Sequence, residues 1–393
     1  MKFNQTPNKY FSQTGLTLFE LMIAMTISSI LMIGISNIYS SSKQAYKIND
    51  EFSVLQENAR LAFRFLTQDI RMAGYVGCAW STGTNVDSTL DTTSMSADLD
   101  DFLNGFDTGI EGYDATGTEP GTAIDMATLT SGFNRTVNGL FTGHVDGSDI
   151  IVVRHAESGG VKLSGNKNSA NFTIQDGGDQ VLSGMPGSQC HAPSGICEDD
   201  ILMVSDCSKA RIFQVTQMTA LGSNEIRVVH SGTGTPGNST ISWGGSSSDP
   251  STWFAPGDSE ILKMGAYAYF IANGTSGLPT LKRLKNKEVT PYELVEGVEN
   301  MQVLYGIDAN GDGRANQYVV APVAVANNIV SVRISLLMST PGEIPKRNND
   351  TKVYKMLSLN DTVNVRVTPK ADRRIRKVFT TTIKLRNKGL IDE

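Results

Sequence analysis

Histidine and cysteine are scarce, with four of each in 393 residues. His144, His155, His191 and His230 are scattered, and no Ser or Cys stands in a nucleophile motif, so acyl-transfer and hydrolytic chemistry lack their parts. The glycine-rich stretch Gly232-Thr-Gly-Thr-Pro-Gly237 has neither the lysine nor the following helix of a phosphate-binding loop, and it reads as a turn. Charge is thin at 19% of residues, and a net value of −6 argues against nucleic-acid binding through overall charge. One sign is missing over a long stretch: between Met72 and Asn134 there is no Lys or Arg, against ten acidic residues. Between Arg366 and Lys388 the bias reverses, with nine basic residues and one acid, Asp372. These read as two solvated surfaces, with a complementary pair of subunit contacts as the sharper alternative. No aromatic interleaving marks the basic one as a nucleic-acid patch.

Uninterrupted apolar sequence occurs once. Gly15 to Ile38 reads GLTLFELMIAMTISSILMIGISNI, and no charged side chain occurs from Leu21 to Ser42. That is about enough helix to cross a bilayer core of roughly 30 Å. Glu20 stands at the top of the run, where a carboxylate costs about 2.5–3.5 kcal/mol on insertion scales and calls for a partner. A secretory signal places its small-residue cleavage site after the apolar region. Here Gly15 precedes it, so a cut after Gly15 keeps the helix and frees an α-amine on Leu16, one turn from Glu20. Losing the leader would take the net charge from −6 to −8, because its only charges are Lys2 and Lys9. Left uncut, the segment is a plain membrane anchor.

The heptapeptide Gly15-Leu16-Thr17-Leu18-Phe19-Glu20-Leu21 resembles the class III leader of type IV pilins and pseudopilins, usually G-F-T-L-x-E-L. Leu16 departs from the usual phenylalanine. The resemblance implies cleavage after Gly15 by prepilin peptidase, N-methylation of Leu16, and pairing of Glu20 with the terminal amine of a neighbouring subunit during assembly.

Beyond the apolar run the helical pattern continues. Ala45, Ile48, Phe52, Leu55, Ala59, Ala62, Leu66 and Ala73 recur at steps that keep them on one helix face, with Phe63 and Ile70 broadening the stripe. Lys47, Asp50, Glu51, Glu57, Arg60, Arg64, Asp69 and Arg71 are assigned to the opposite face, and Gly74 to the C-cap. A helix from Leu16 to Ala73 is roughly 90 Å long at 1.5 Å per residue. Trp80 to about Asp146 is rich in Ser, Thr, Gly and Asp, with an Asn138-Gly139 turn signal. Strand signals follow at Asp149–His155, Ile201–Ser205, Ala210–Thr216, Glu225–His230, Ile261–Ala272, Thr280–Leu284, Met301–Ile307, Gln317–Val320, Ile329–Ser339 and Val378–Leu385. One long helix followed by many strands is an α+β fold, a helix packed on a large antiparallel β-rich head. The expected organisation is a leader at 1–15, a helix at 16–74 with its transmembrane part at about 21–42, and a head at 75–393.

Four cysteines behind a membrane-targeting leader imply disulfides in an oxidising space. Three pairings are open; the expectation is Cys190 with Cys197 and Cys78 with Cys207, and a zinc site including His191 is the alternative. Asp308-Ala-Asn-Gly-Asp-Gly-Arg-Ala-Asn316 follows the first half of a calcium loop, with Asp308, Asn310, Asp312, the Arg314 carbonyl and Asn316 as ligands. Val319 stands where the closing glutamate belongs, and the alternative is an ordinary hairpin turn.

The chain is similar to the PilW-type minor pilins over most of its length, with 81–148 and 231–256 the least diagnostic segments. Segments carrying this are Leu55-Gln-Glu-Asn-Ala-Arg-Leu-Ala-Phe63, Asp69-Ile-Arg-Met-Ala-Gly-Tyr-Val-Gly-Cys78, Asp200-Ile-Leu-Met-Val-Ser-Asp-Cys207, Glu296-Gly-Val-Glu-Asn-Met-Gln-Val-Leu-Tyr-Gly306 and Val378-Phe-Thr-Thr-Thr-Ile-Lys-Leu-Arg-Asn387. The resemblance implies a non-enzymatic subunit that takes part in assembly and priming of a type IV pilus, with a tip position. It sits in the bacterial inner membrane, head in the periplasm, before joining the fibre at the cell surface. The partners implied are other minor and major pilins, prepilin peptidase, the inner-membrane assembly platform and the membrane itself, with no nucleic acid and no cofactor besides Ca2+. The alternatives are a type II secretion pseudopilin and a tip adhesin or binding module.

Overall fold

In the computed structural model, one helix and twenty-one strands are described over residues 15–78, 86–91, 105–106, 108–118, 120–128, 141, 143–157, 159–168, 170–175, 190–191, 194–241, 243, 254–286, 288, 290–321, 328–358 and 364–387. The leader before Gly15 and the Asn138-Gly139 turn signal lie outside these residues.

Helix α1 runs Leu18–Met72 without a break, about 80 Å at the standard rise. Its start is set by Thr17, whose hydroxyl accepts the Glu20 amide while the Glu20 carboxylate accepts the Thr17 amide, a capping box. It ends where Ala73 turns extended and Gly74 takes φ +71°, a conformation glycine adopts without steric cost. Thr26 and Ser29 donate their hydroxyls to the carbonyls of Met22 and Met25, four residues back, which satisfies these polar groups within the apolar stretch.

The head is an α+β assembly with that one helix. Twelve strands form a branched sheet centred on the long strand Glu260–Asn273, which pairs with Ile150–Ala156, Pro279–Lys285, Ile201–Ser205 and Val161–Asn168. A second sheet orders Gln317–Val319, Val298–Ile307, Ile329–Ser339 and Arg376–Lys384. Pairing is antiparallel except at two places: Val86–Ser88 runs parallel to Ala210–Gln214, and Asn364–Thr368 parallel to Ala123–Asp125. The strands read from β-branched runs stand within three residues of their expected bounds. Ile110–Tyr113, Val161–Asn168, Asn171–Gln175, Gln217–Gly222, Tyr292–Glu296, Tyr354–Ser358 and Asn364–Thr368 are not among the expected strands. Most are glycine-containing or polar pieces that tertiary pairing makes into strands, whereas Asn364–Thr368 alternates buried Val365 and Val367 with polar residues.

Leu55, Ala59, Ala62, Leu66, Ile70 and Ala73 share one core with Met301, Val303 and Tyr305, with Val332, Ile334 and Leu336, and with Ile151, Val153 and Tyr269. Small alanines at 59 and 62 let the helix approach the sheet closely. Asp69 does not face solvent as expected. It is 8% exposed and accepts a hydrogen bond of 2.5 Å from the Tyr269 hydroxyl. A second buried carboxylate, Asp149, accepts from the amides of Ala115 and Val303 and so ties three segments together; burial and the nearby Asp114 push its pKa well up.

Candidate functional site: the N-terminal end of the helix and its coupling to the head

Among the described residues, the first half of α1 packs against no part of the head. Leu16, Leu18, Phe19 and Met22 are 61–78% exposed, and the apolar side chains stay exposed through Ile38 at 69%. This part of the helix is long and apolar enough to cross a membrane. Its surface is matched to lipid or to other apolar helices, where van der Waals packing rather than water exclusion drives association.

Gly15, Leu16 and Glu20 lie together at the tip. Both contacts of the Glu20 carboxylate come from Thr17, whose backbone amide and hydroxyl each donate to Oε2 at 2.9 Å. The other oxygen, Oε1, makes no contact among the described residues. Glu20 also sits in the first turn of α1, where the exposed amides give a favourable field for negative charge. The carboxylate is therefore held in one orientation with half its acceptor capacity free. An amine arriving from outside the chain finds a preset acceptor there.

From Gln44 onward the helix engages the head. Gln44 and Lys47 donate to the carbonyls of Pro345 and Glu343, and the amide of Gly342 donates to Glu51. Past the helix end, Cys78 is disulfide-bonded to Cys207, 129 residues away in sequence, on the loop after Ile201–Ser205. Cys190 and Cys197 form the second disulfide, across a two-stranded ribbon. The four thiols are thus occupied, and no zinc-binding thiolate is left. His191 is buried, with neither ring nitrogen hydrogen-bonded among the described residues.

The 308–316 segment is a self-supporting turn between Val298–Ile307 and Gln317–Val319. Asp308 accepts the amides of Asn310, Gly311 and Asp312 through Oδ1 and of Gly313 through Oδ2. Desolvation alone would raise its pKa, but these four amides outweigh it and hold the carboxyl below its usual range. Asn316 accepts the Ala309 amide and Arg314 donates its own amide to Asp312. Among the described residues no three His, Cys, Asp or Glu side chains gather into a group able to hold a metal. As a calcium site the loop is a poor fit by itself, since it brings two carboxylates and Asp308 is already engaged through both oxygens.

The remaining histidines do not meet. His230 is fully buried, stacked on Trp243 at 3.9 Å, and desolvation pushes its pKa down to about 3, with a further push from the Arg211 charge against its own backbone contact. His144 lies 3.8 Å from Asp146, and His155 stacks on Tyr267.

Comparison with known proteins adds two matches. Residues 268–387 match the family described as Type IV Pilus-assembly protein W, and residues 11–36 match the prokaryotic N-terminal methylation motif. The first spans the two long strands of the smaller sheet, and the second brackets Gly15, Leu16 and Glu20. No curated protein matches the chain. Among solved structures, a type IV-like pilin from Thermus thermophilus is similar at 17% identity, over 36% of this chain and 71% of that one, with a TM-score of 0.20.

Proposed function

We propose, from a chain that resembles the PilW family over residues 268–387 and carries a methylation motif at 11–36, a structural subunit of a type IV pilus of the minor pilin kind. The reading is of a fibre subunit, not an enzyme. The observation that carries it is the division of α1 into a bare apolar half headed by Glu20 and a half locked into a strand-rich head. The motif and the apolar helix mark the N-terminal end as a membrane anchor.

In this reading prepilin peptidase cuts after Gly15 and Leu16 is methylated. The α-amine of an adjacent pilin then meets the free Oε1 of Glu20, whose orientation the Thr17 contacts have already fixed. Hydrogen-bonding a charge before it enters an apolar bundle lowers the desolvation cost that the pair must offset. The apolar half of the helix packs against other minor and major pilins above the inner-membrane platform, and the head primes assembly near the fibre tip. A type II secretion pseudopilin would share the leader and the helix; the match at 268–387 favours the pilus reading. The test is the intact mass of protein extracted from membranes. The expected product lacks residues 1–15, carries one added methyl group and has all four cysteines oxidised. A product that still begins at Met1 overturns the reading.

Calcium at 308–316 is a second and separate proposal. Its support is the two-residue spacing of Asp308, Asn310 and Asp312, with the last two exposed, and it needs a further carboxylate supplied by a neighbouring subunit. Calorimetric titration of the detergent-solubilised chain with Ca2+, alone and with other subunits present, decides it. Absence of heat in both dismisses the ion.

A further inference from the structure

A groove of about 990 Å³ runs along the last turns of α1, between the helix and the strands Ile150–Ala156, Glu260–Asn273 and Pro279–Lys285. Its sign is opposite to that of the chain, which is −6 overall. The walls carry Arg60, Arg64 and Arg71 from the helix, Arg283 and Lys285 from the strand, and Arg386 from the end of the second sheet. Arg64 lies one turn beyond Arg60 and Arg71 two turns further, so the three form a row on one helix face.

Two carboxylates share the groove, and both are engaged. Asp69 accepts from Tyr269 and has Arg283 at 3.9 Å; Glu157 accepts from Tyr267 at 2.7 Å and pairs with Lys285 at 2.8 Å. Among the described residues Arg60, Arg64, Arg71 and Arg386 have no acid partner.

The groove also holds unmet hydrogen-bonding groups. His155, 8% exposed, places Nδ1 at 3.0 Å from the Ala156 carbonyl, a contact that suits the tautomer with its proton on Nδ1. In that tautomer Nε2 is an acceptor, and among the described residues it has no partner. Arg283 Nε is a buried donor, also without one. One unmet acceptor and one unmet donor beside a row of arginines are the complement of a peptide that bears carboxylates, because each peptide unit brings one N–H and one C=O. A phosphate group brings acceptors only. Lipid headgroups are out of range, since Arg60 lies 18 residues past Ser42, about 27 Å along the helix.

We propose that this groove docks an extended acidic segment of another polypeptide, carboxylates on the arginine row and backbone on His155 and Arg283. The claim concerns the junction of α1 with the head, and it stands or falls independently of fibre assembly. The probe is fluorescent hexaglutamate, titrated by anisotropy against the detergent-solubilised full chain. Saturable binding is expected, weakened at least tenfold in R60E/R64E, whose side chains are exposed and leave the core alone, and unaffected in K162E, an exposed lysine outside the groove. Backbone N-methylated hexaglutamate keeps every carboxylate and loses the N–H, so it should bind more weakly. The proposal is overturned by no saturable binding, by equal weakening in K162E, by equal affinity of the N-methylated peptide, or by tighter binding of an oligodeoxythymidylate of matching charge.

Discussion

Between Leu18 and Ser42 the helix shows its apolar side chains to the outside, and Leu18, Ile30 and Met32 are 68–78% exposed. Between Leu55 and Ala73 the same helix hides them, and Leu55, Ala62, Leu66 and Ile70 are 0% exposed. The backbone is α-helical on both sides of the boundary. What differs is the amphipathicity: the first half is apolar all round, as a membrane span is, whereas the second has a charged face and an apolar stripe. One stretch therefore finds no burial within its own chain among the described residues, and the other is buried there. Glu20 belongs to the first by position, yet it is held by a cap made entirely within the chain.

That comparison can be broken most forcefully at the staple. C78S/C207S opens a loop of 129 residues, and the chain-entropy account gives about 5 kcal/mol for one of that size. C190S/C197S opens one of 7, for which the same account gives about half as much. Denaturant unfolding in detergent should rank them in that order; the reverse order would mean that the helix end is fixed by packing alone. Leu66→Ala should destabilise the head by about 2–5 kcal/mol, as for a fully buried leucine that leaves a cavity.

Acid sharpens the contrast because its target lies in the head. His230 has its pKa pushed down to about 3 in the folded state, against about 6.5 unfolded. The unfolded chain therefore binds more protons between those values, so stability is whole above about pH 6.5 and falls as pH is lowered toward 3, by about 1.4 kcal/mol per unit. His230→Leu should flatten that slope relative to the parent, read as the difference in unfolding free energy at pH 7 and pH 5. An unchanged slope would show that the ring is charged when folded. The smallest effects belong to the apolar half. Ile30→Ala and Glu20→Ala should each leave head stability within about 0.5 kcal/mol, as exposed sites do. Glu20→Ala should nevertheless reduce piliation while membrane insertion persists. Normal fibres from it would remove the carboxylate from assembly.

Residues with a periodic signal declared themselves early. The apolar run and the steps from Leu55 to Ala73 needed only the 3.6-residue repeat and the dimensions of a bilayer to be read, whereas the Gly15-to-Glu20 pattern took its meaning from its resemblance to the pilin leader. Long β-branched strands such as Ile329–Ser339 were as plain. Asp69 was assigned to the wet face because spacing carries no information about the tyrosine waiting on the sheet. The groove lay hidden for the same reason: its cations come from 60–71, 283–285 and 386, and no local pattern joins them.

The chain order of apolar and charged residues determined by itself that there is one long helix, where it begins and which of its parts can meet lipid, since these depend on neighbours within a turn or two. Only the tertiary structure decided that Asp69 turns inward, that polar and glycine-bearing segments complete the large sheet, and that arginines with no acid partner among the described residues converge along the helix. Those outcomes depend on contacts between residues a hundred or more positions apart, where burial and pairing energies outweigh local preference.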